Sequence, residues 1–316
     1  MLGMKPAAVA PTLEGTTQGH QPLAWAVYGD PARGARAGWT LVFHALTGSQ
    51  RVHEWWPRQL APSGLLRPDV RPVLCANLPG SCYGSTRAPG EVVSPHQIAR
   101  AHLPLMDTFG ITRLALVTGG SLGGMVALEW LRISPVPVDD AVILAAPARA
   151  SAQVIAWNAV QRMAIEAGGA AGLAAARAAA MITYRSDQEF EARFGRDQNH
   201  VEGQYDVEGW LRHHGRTLVQ RFDAEAYTAL TRTMDAHDLG DVGAASAETR
   251  ARCARITGVG ISSDQLFPPA QVRAWVGAYR AAGLHAGYAE IQSIHGHDAF
   301  LIEHEQVAGL LEGAVQ

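Results

Sequence analysis

Short apolar runs bounded by glycine, proline or aspartate recur along the chain, at residues 41–43, 73–76, 114–117, 141–145, 256–261 and 288–294. Most are continuous rather than alternating, which is the pattern of strands covered on both faces. Helical stretches, such as residues 96–109 and 125–133, separate them. That alternation predicts an α/β fold with a mostly parallel sheet and crossover helices. Residues 23–28 predict an extra strand at the sheet edge.

Between Pro147 and about Ala245 the strand-like runs vanish, and alanine-rich, arginine-studded segments replace them. Residues 171–183, 207–220 and 224–234 carry apolar positions at helical spacing, and sheet character resumes at Arg255. The expected organisation is a first core segment 1–146, a helical insertion 147–245 and a second core segment 246–316. In open α/β sheets ligands bind at the carboxyl ends of the strands, so the insertion is expected to cap that edge. The opening MLGMKPAAVAPTLEG alternates small residues with prolines and predicts a loose arm, too broken for the apolar centre of a signal peptide.

Composition narrows the function more than the fold. A chain of 316 residues that is 47% hydrophobic can bury a substantial core without staples. Its 26 basic and 29 acidic residues are well mixed, so no patch predicts nucleic acid or an anionic membrane as partner. No run of about 18 apolar residues predicts a membrane-spanning helix. The three cysteines, Cys75, Cys82 and Cys253, are odd in number and unpaired in spacing. They argue against a disulfide framework or a zinc site and for a reducing, cytoplasmic setting.

The most informative stretch is residues 114–125, where an apolar strand runs into Gly119-Gly120-Ser121-Leu122-Gly123 and a helix follows at once. This Gly-x-Ser-x-Gly pattern suits a serine at a sharp, strained strand-to-helix turn, where only small flanking residues avoid clashes. The adjoining helix N-terminus favours developing negative charge. Ser121 is therefore the candidate nucleophile, and it requires a base and an orienting acid, following in the order acid then histidine. Asp264 follows the predicted strand 256–261. On the loop after the next strand, His295 and His297 compete as the base. Asp264 also reads as a helix N-cap. The oxyanion needs two backbone amides: Leu122 supplies one, and Leu46, in His44-Ala45-Leu46-Thr47-Gly48 after strand 41–43, is the candidate for the other. His44 itself reads as a structural hydrogen-bonding residue.

Several separated blocks resemble the homoserine O-acyltransferases, the homoserine O-acetyltransferase family of the α/β-hydrolase superfamily. They are His44 to Gly48; Gly80-Ser81-Cys82-Tyr83-Gly84-Ser85-Thr86; Gly119 to Met125 with Ala127-Leu128-Glu129-Trp130; Met181-Ile182-Thr183-Tyr184-Arg185-Ser186; Arg221-Phe222-Asp223-Ala224; Ser263-Asp264-Gln265-Leu266-Phe267-Pro268-Pro269; and Gly296-His297-Asp298-Ala299-Phe300-Leu301. The resemblance implies an α/β-hydrolase fold with a helical cap and a Ser121–His297–Asp264 triad. It implies ping-pong transfer of an acetyl group from acetyl-CoA to L-homoserine in methionine biosynthesis, with no bound cofactor or metal. It further implies that Arg177, on a cap helix, binds the substrate carboxylate, that Asp298 binds its amino group, and that the enzyme is a homodimer joined through the cap. Arg162 is a second cap arginine that could face the site. Relatives usually have a longer loop where residues 165–172 stand, and many have glutamine at the position of Val126. A succinyl-CoA donor, an L-serine acceptor, a serine hydrolase and a catalytically idle scaffold stay open as alternatives.

Overall fold

The computed structural model describes residues 9–17, 22–85, 92–198 and 203–311. Eight strands make up its sheet, the inner ones where apolar residues can be covered from both sides. They are β1 (Leu13–Thr16), β2 (Ala24–Tyr28), β3 (Trp39–Phe43), β4 (Val73–Ala76), β5 (Leu114–Gly120), β6 (Val138–Leu144), β7 (Cys253–Ile261) and β8 (Ala286–Ile291). Along β3, Leu41 and Phe43 join one buried cluster while Val42, between them, joins a second on the opposite face. The strands lie in the order β1-β2-β4-β3-β5-β6-β7-β8. Every pairing from β4 to β8 is parallel, and β1 and β2 add antiparallel at one side.

Three sequence expectations are corrected here. The predicted edge strand at 23–28 is β2, and β1 lies outside it; β1 is mostly exposed and so leaves no apolar run to read. Residues 13–15 of the predicted loose arm therefore belong to the sheet, while residues 1–8 lie outside those described. The last strand stops at Ile291, whose carbonyl takes the final rung from the Ser262 amide, and residues 292–294 already belong to the loop. The predicted helix 96–109 is broken in two: α1 (Pro95–Ala101) is closed by a capping box between Ser94 and Gln97, and a short helix restarts at Pro104, which has no amide to continue the ladder. Thr86, the last residue of one family-like block, also falls outside the described residues.

The other helices of seven or more residues are α2 (Leu122–Ile133), α3 (Ala152–Tyr184), α4 (Asp187–Arg193), α5 (Asp206–Val219), α6 (Ala224–Asp235), α7 (Val242–Arg250) and α8 (Pro269–Ala281). Helices α1, α7 and α8 pack with α2 against the sheet, whereas α5 and α6 pack on α3. Helix α3 is 33 residues long, and an 18-residue window in it reaches a mean hydropathy of 1.2. Gly169, at φ 52°, breaks it into segments 152–168 and 170–184, each short of the roughly 20 residues a membrane crossing needs. The chain doubles back there so closely that a Cβ on Gly172 would lie 2.0 Å from the Ala164 carbonyl oxygen. A single turn thus stands where the family resemblance marked relatives as usually having a longer loop.

The helices from α3 to α6 leave the sheet after β6 and return before β7 over paired connections. Ala150 N–H donates to the His237 carbonyl, and Leu239 N–H donates to that of Ala148, each at 2.9 Å. His237 seals the junction through a 2.9 Å contact between Nε2 and the Pro147 carbonyl.

His44, His102 and His237 are all buried, and burial lowers each pKa, to about 4 for His44 and His237. The unfolded value is about 6.5, so their stabilisation is complete above that pH and is lost as pH falls toward 4. For His44 and His237 it is worth about 3 kcal/mol each at neutral pH. We therefore expect the thermal midpoint to drop between pH 6.5 and 4, and a His237→Gln variant to drop less steeply. An identical pH profile for the variant would contradict this account.

Candidate active site

Ser121 sits where β5 turns into α2, at φ 59° and ψ −127°, a strained conformation for a residue with a side chain. Its amide donates to the Leu144 carbonyl at 2.9 Å, which ties the turn to the end of β6. The flanking glycines follow from the same crowding. A Cβ on Gly123 would lie 2.1 Å from the Phe43 carbonyl oxygen, and one on Gly119 would lie 2.5 Å from that of Gly123. Gly120 faces the Phe300 ring at a distance no side chain could share.

Asp264 follows β7 and is buried. Its Oδ1 accepts from the amides of Leu266 and Phe267, both at 2.9 Å, and its Oδ2 accepts from His297 Nδ1 at 2.7 Å. The alternative reading of Asp264 as a helix N-cap is corrected: α8 begins only at Pro269, with Pro268 in the capping position. What Asp264 caps is the turn before it. His297 is enclosed by the rings of Phe267, Phe300 and Tyr184, with centroids 5.1, 5.7 and 5.8 Å away. Burial disfavours its charged form, but the Asp264 charge and hydrogen bond, with Asp298 beside it, outweigh burial and raise the pKa above 6.5.

His297 Nε2, the nitrogen that would face a nucleophile, is buried and has no hydrogen-bond partner among the described residues. Ser121 and His297 are thus not bonded to each other, although both border Phe300, Ser121 through its neighbour Gly120. Such contacts are often open before substrate arrives. His295, the competing base, lies elsewhere, with Nδ1 3.3 Å from Glu189 Oε2.

The Leu122 amide opens α2, and Leu46 lies in the loop after β3; neither amide has an acceptor among the described residues. His44 shapes that loop. Its Nε2 accepts from the Leu78 amide at 3.0 Å, which puts the proton on Nδ1, and Nδ1 donates to the Ala45 carbonyl at 2.8 Å. A neutral histidine with both nitrogens engaged is structural, as its sequence context suggested.

The helical insertion reaches the same edge of the sheet. Arg221 donates to the Thr47 carbonyl at 2.8 Å, and the Asp223 amide donates to Cys82 Sγ at 3.4 Å. Arg177 lies over the Tyr184 ring, 5.5 Å from its centroid, and pairs with no carboxylate among the described residues. Asp298 already has a cationic partner, since its Oδ2 is 3.1 Å from Arg185. Arg162 pairs with Asp235, 2.7 Å away. Sequence reasoning missed the aromatic enclosure of His297 and the Arg185–Asp298 pair. Only the family-like block 181–186 marked Tyr184 and Arg185, without a role.

A strained serine at a strand-to-helix turn, with a histidine–aspartate pair beyond the later strands of a mostly parallel sheet, defines an α/β-hydrolase-fold enzyme. The family described as alpha/beta hydrolase fold matches residues 40–278. A homoserine O-acetyltransferase from Deinococcus radiodurans is 43% identical over 89% of this chain and 82% of its own length. One from Moorella thermoacetica is 36% identical over 94% and 91%. The chain belongs to the homoserine O-acetyltransferase family, within the α/β-hydrolase fold, as its motifs suggested. The crystal structure of homoserine O-acetyltransferase from Staphylococcus aureus aligns with it at a TM-score of 0.77 and 27% identity, covering 92% of this chain and 88% of that one.

The raised pKa of His297 is directly measurable by NMR titration of its imidazole. We expect a midpoint above 6.5 that falls in an Asp264→Asn variant, because the carboxylate charge is what outweighs burial. A wild-type midpoint at or below 6.5 would remove the claimed coupling.

Proposed function

We propose that this enzyme moves an acetyl group from acetyl-CoA to the hydroxyl of L-homoserine through an acyl-serine, as a cytoplasmic step of methionine biosynthesis. The observation that carries the reading is the buried 2.7 Å hydrogen bond between Asp264 and His297, which fixes the imidazole and leaves Nε2 unpartnered. A carboxylate on Nδ1 holds the tautomer in which Nε2 can accept a proton.

In this mechanism Ser121 Oγ attacks the thioester carbonyl as His297 takes its proton. The oxyanion is held by the Leu46 and Leu122 amides. Collapse breaks the carbon–sulfur bond, His297 returns the proton to the departing thiolate, and an acyl-serine remains. The acceptor hydroxyl then attacks that ester while His297 deprotonates it, and Ser121 leaves with the proton. The acyl-CoA is a consumed co-substrate, and no step calls for a metal.

The acceptor is a zwitterion with a hydroxyl, so its site needs a cation, an anion and the base within reach of one another. Arg177, with no carboxylate partner among the described residues, suits the carboxylate, and Asp298 suits the ammonium. The insertion 147–245 would then act as a cap that excludes water from the acyl-enzyme. The same reading includes a homodimer joined through this cap. Ile155, Val160 and Met163, exposed on α3, support it.

Ser121→Ala is expected to lower turnover by roughly 10⁴-fold or more while leaving the fold intact. Retained turnover in that variant would remove the covalent mechanism. Arg177→Ala should raise the KM for homoserine about tenfold or more and leave thiol release from acetyl-CoA nearly unchanged, and the opposite split would reassign Arg177. The substrate assignment is tested by thiol release with acetyl-CoA or succinyl-CoA against homoserine, serine and water. Acetyl-CoA with homoserine should dominate, whereas dominant release with water alone would make the enzyme a hydrolase.

A further inference from the structure

The junction between α3 and α4 meets the loop that carries His297 at four successive points. Ser186 Oγ donates to the Ile294 carbonyl. His295 Nδ1 approaches Glu189 Oε2 to 3.3 Å. Gly296, at φ 60°, passes so close that a Cβ there would lie 2.7 Å from the Tyr184 carbonyl oxygen and 2.9 Å from the Arg185 backbone. Arg185 then reaches Asp298, with its guanidinium 3.1 Å from Oδ2.

Arg185 is itself held from behind. It donates to both oxygens of Glu189, at 3.0 and 3.2 Å, one turn further along the chain. Ser186 caps α4 by accepting from the Glu189 amide at 3.0 Å, which fixes the carboxylate that aims the guanidinium. The side chains of Glu189, Arg185 and Asp298 are 8, 13 and 17% exposed, so their charges are largely removed from solvent. One guanidinium spans two carboxylates here, which its planar fork allows and an ammonium would not reproduce.

We infer that Arg185 and Glu189 are positioning residues for the acceptor: they hold Asp298 by one oxygen and leave Oδ1, which has no partner among the described residues, aimed at the substrate ammonium. The inference rests on the acyl-transfer reading given above. Arg177 lies on the same helix seven residues upstream of Tyr184, against whose ring its guanidinium packs. The grip on the acceptor carboxylate, the grip on its ammonium and the position of the base are thereby set by one helix end. Acylation of Ser121, which uses neither end of the acceptor, does not depend on the pair beyond the position of the loop.

That asymmetry distinguishes a positioning role from a merely structural one. The experiment measures the thiol burst on mixing with acetyl-CoA, the steady-state KM for homoserine and the thermal midpoint, for Arg185→Ala, Arg185→Lys and Glu189→Gln. We expect Arg185→Ala to raise the acceptor KM about tenfold or more, with the burst rate within about threefold of wild type, and added guanidinium ion to restore part of the loss. Glu189→Gln should move the same constant in the same direction by less. If Arg185→Ala does not fold, Arg185→Lys decides by the same split, about threefold or more on acceptor KM with the burst kept. An unchanged acceptor KM, or a proportional fall of burst and transfer together, overturns the inference. A wild-type enzyme with no thiol burst would instead remove the acyl-transfer reading itself, and the role of the pair with it.

Discussion

A carboxylate and an imidazole buried together cost free energy unless each satisfies the other, and this constraint governs the site. Asp264 accepts three hydrogen bonds, two from backbone amides and one from His297, so its charge is compensated where solvent is scarce. The imidazole in turn stands among three aromatic rings that exclude water from its open nitrogen. Two loops from neighbouring strands, β7 and β8, therefore have to meet at one point, and parallel pairing between those strands delivers them there. The sheet exists for many reasons, but its register at this edge serves that meeting.

The serine side is governed by steric crowding instead. Three glycines around Ser121 stand where backbone or ring atoms leave no room for a Cβ, and the strained turn they allow pins the hydroxyl at the start of α2. Such strain, of order 1–3 kcal/mol, persists only because the surrounding sheet over-determines it. The helical insertion meets the same edge of the sheet. Its contacts fall on the loops after β3, β4 and β8, the first of which carries Leu46 and the last His297.

Much of this was legible in the residues. The continuous apolar runs gave β3 to β7, because strands buried on both faces need no alternation, and a further run marked the half-buried β8 at the sheet's end. Gly119 and Gly123 marked the turn, because close backbone approach leaves a local compositional trace. Asp264 followed from chain order, which left His295 and His297 in competition until the family resemblance pointed to His297. What escaped notice was either exposed or non-local. β1 is mostly exposed and pairs only through its backbone, so its composition carries no signal. Residues 165–172 were marked as the place of a loop that is longer in relatives, but nothing local singled out Gly169 as the residue that turns. The Arg185–Asp298 pair joins residues more than a hundred positions apart, and nothing in either neighbourhood predicts the other. Asp264 was legible as an acid, but the cap it makes depends on where α8 begins, which Pro268 and Pro269 delay.

Trapping the covalent intermediate tests the central claim most directly. Mixing the enzyme with acetyl-CoA in the absence of acceptor and analysing peptides by mass spectrometry should place one acetyl group on the peptide carrying Ser121, removed again when homoserine is added. An enzyme that forms the homoserine ester while that peptide is never acylated would contradict the account.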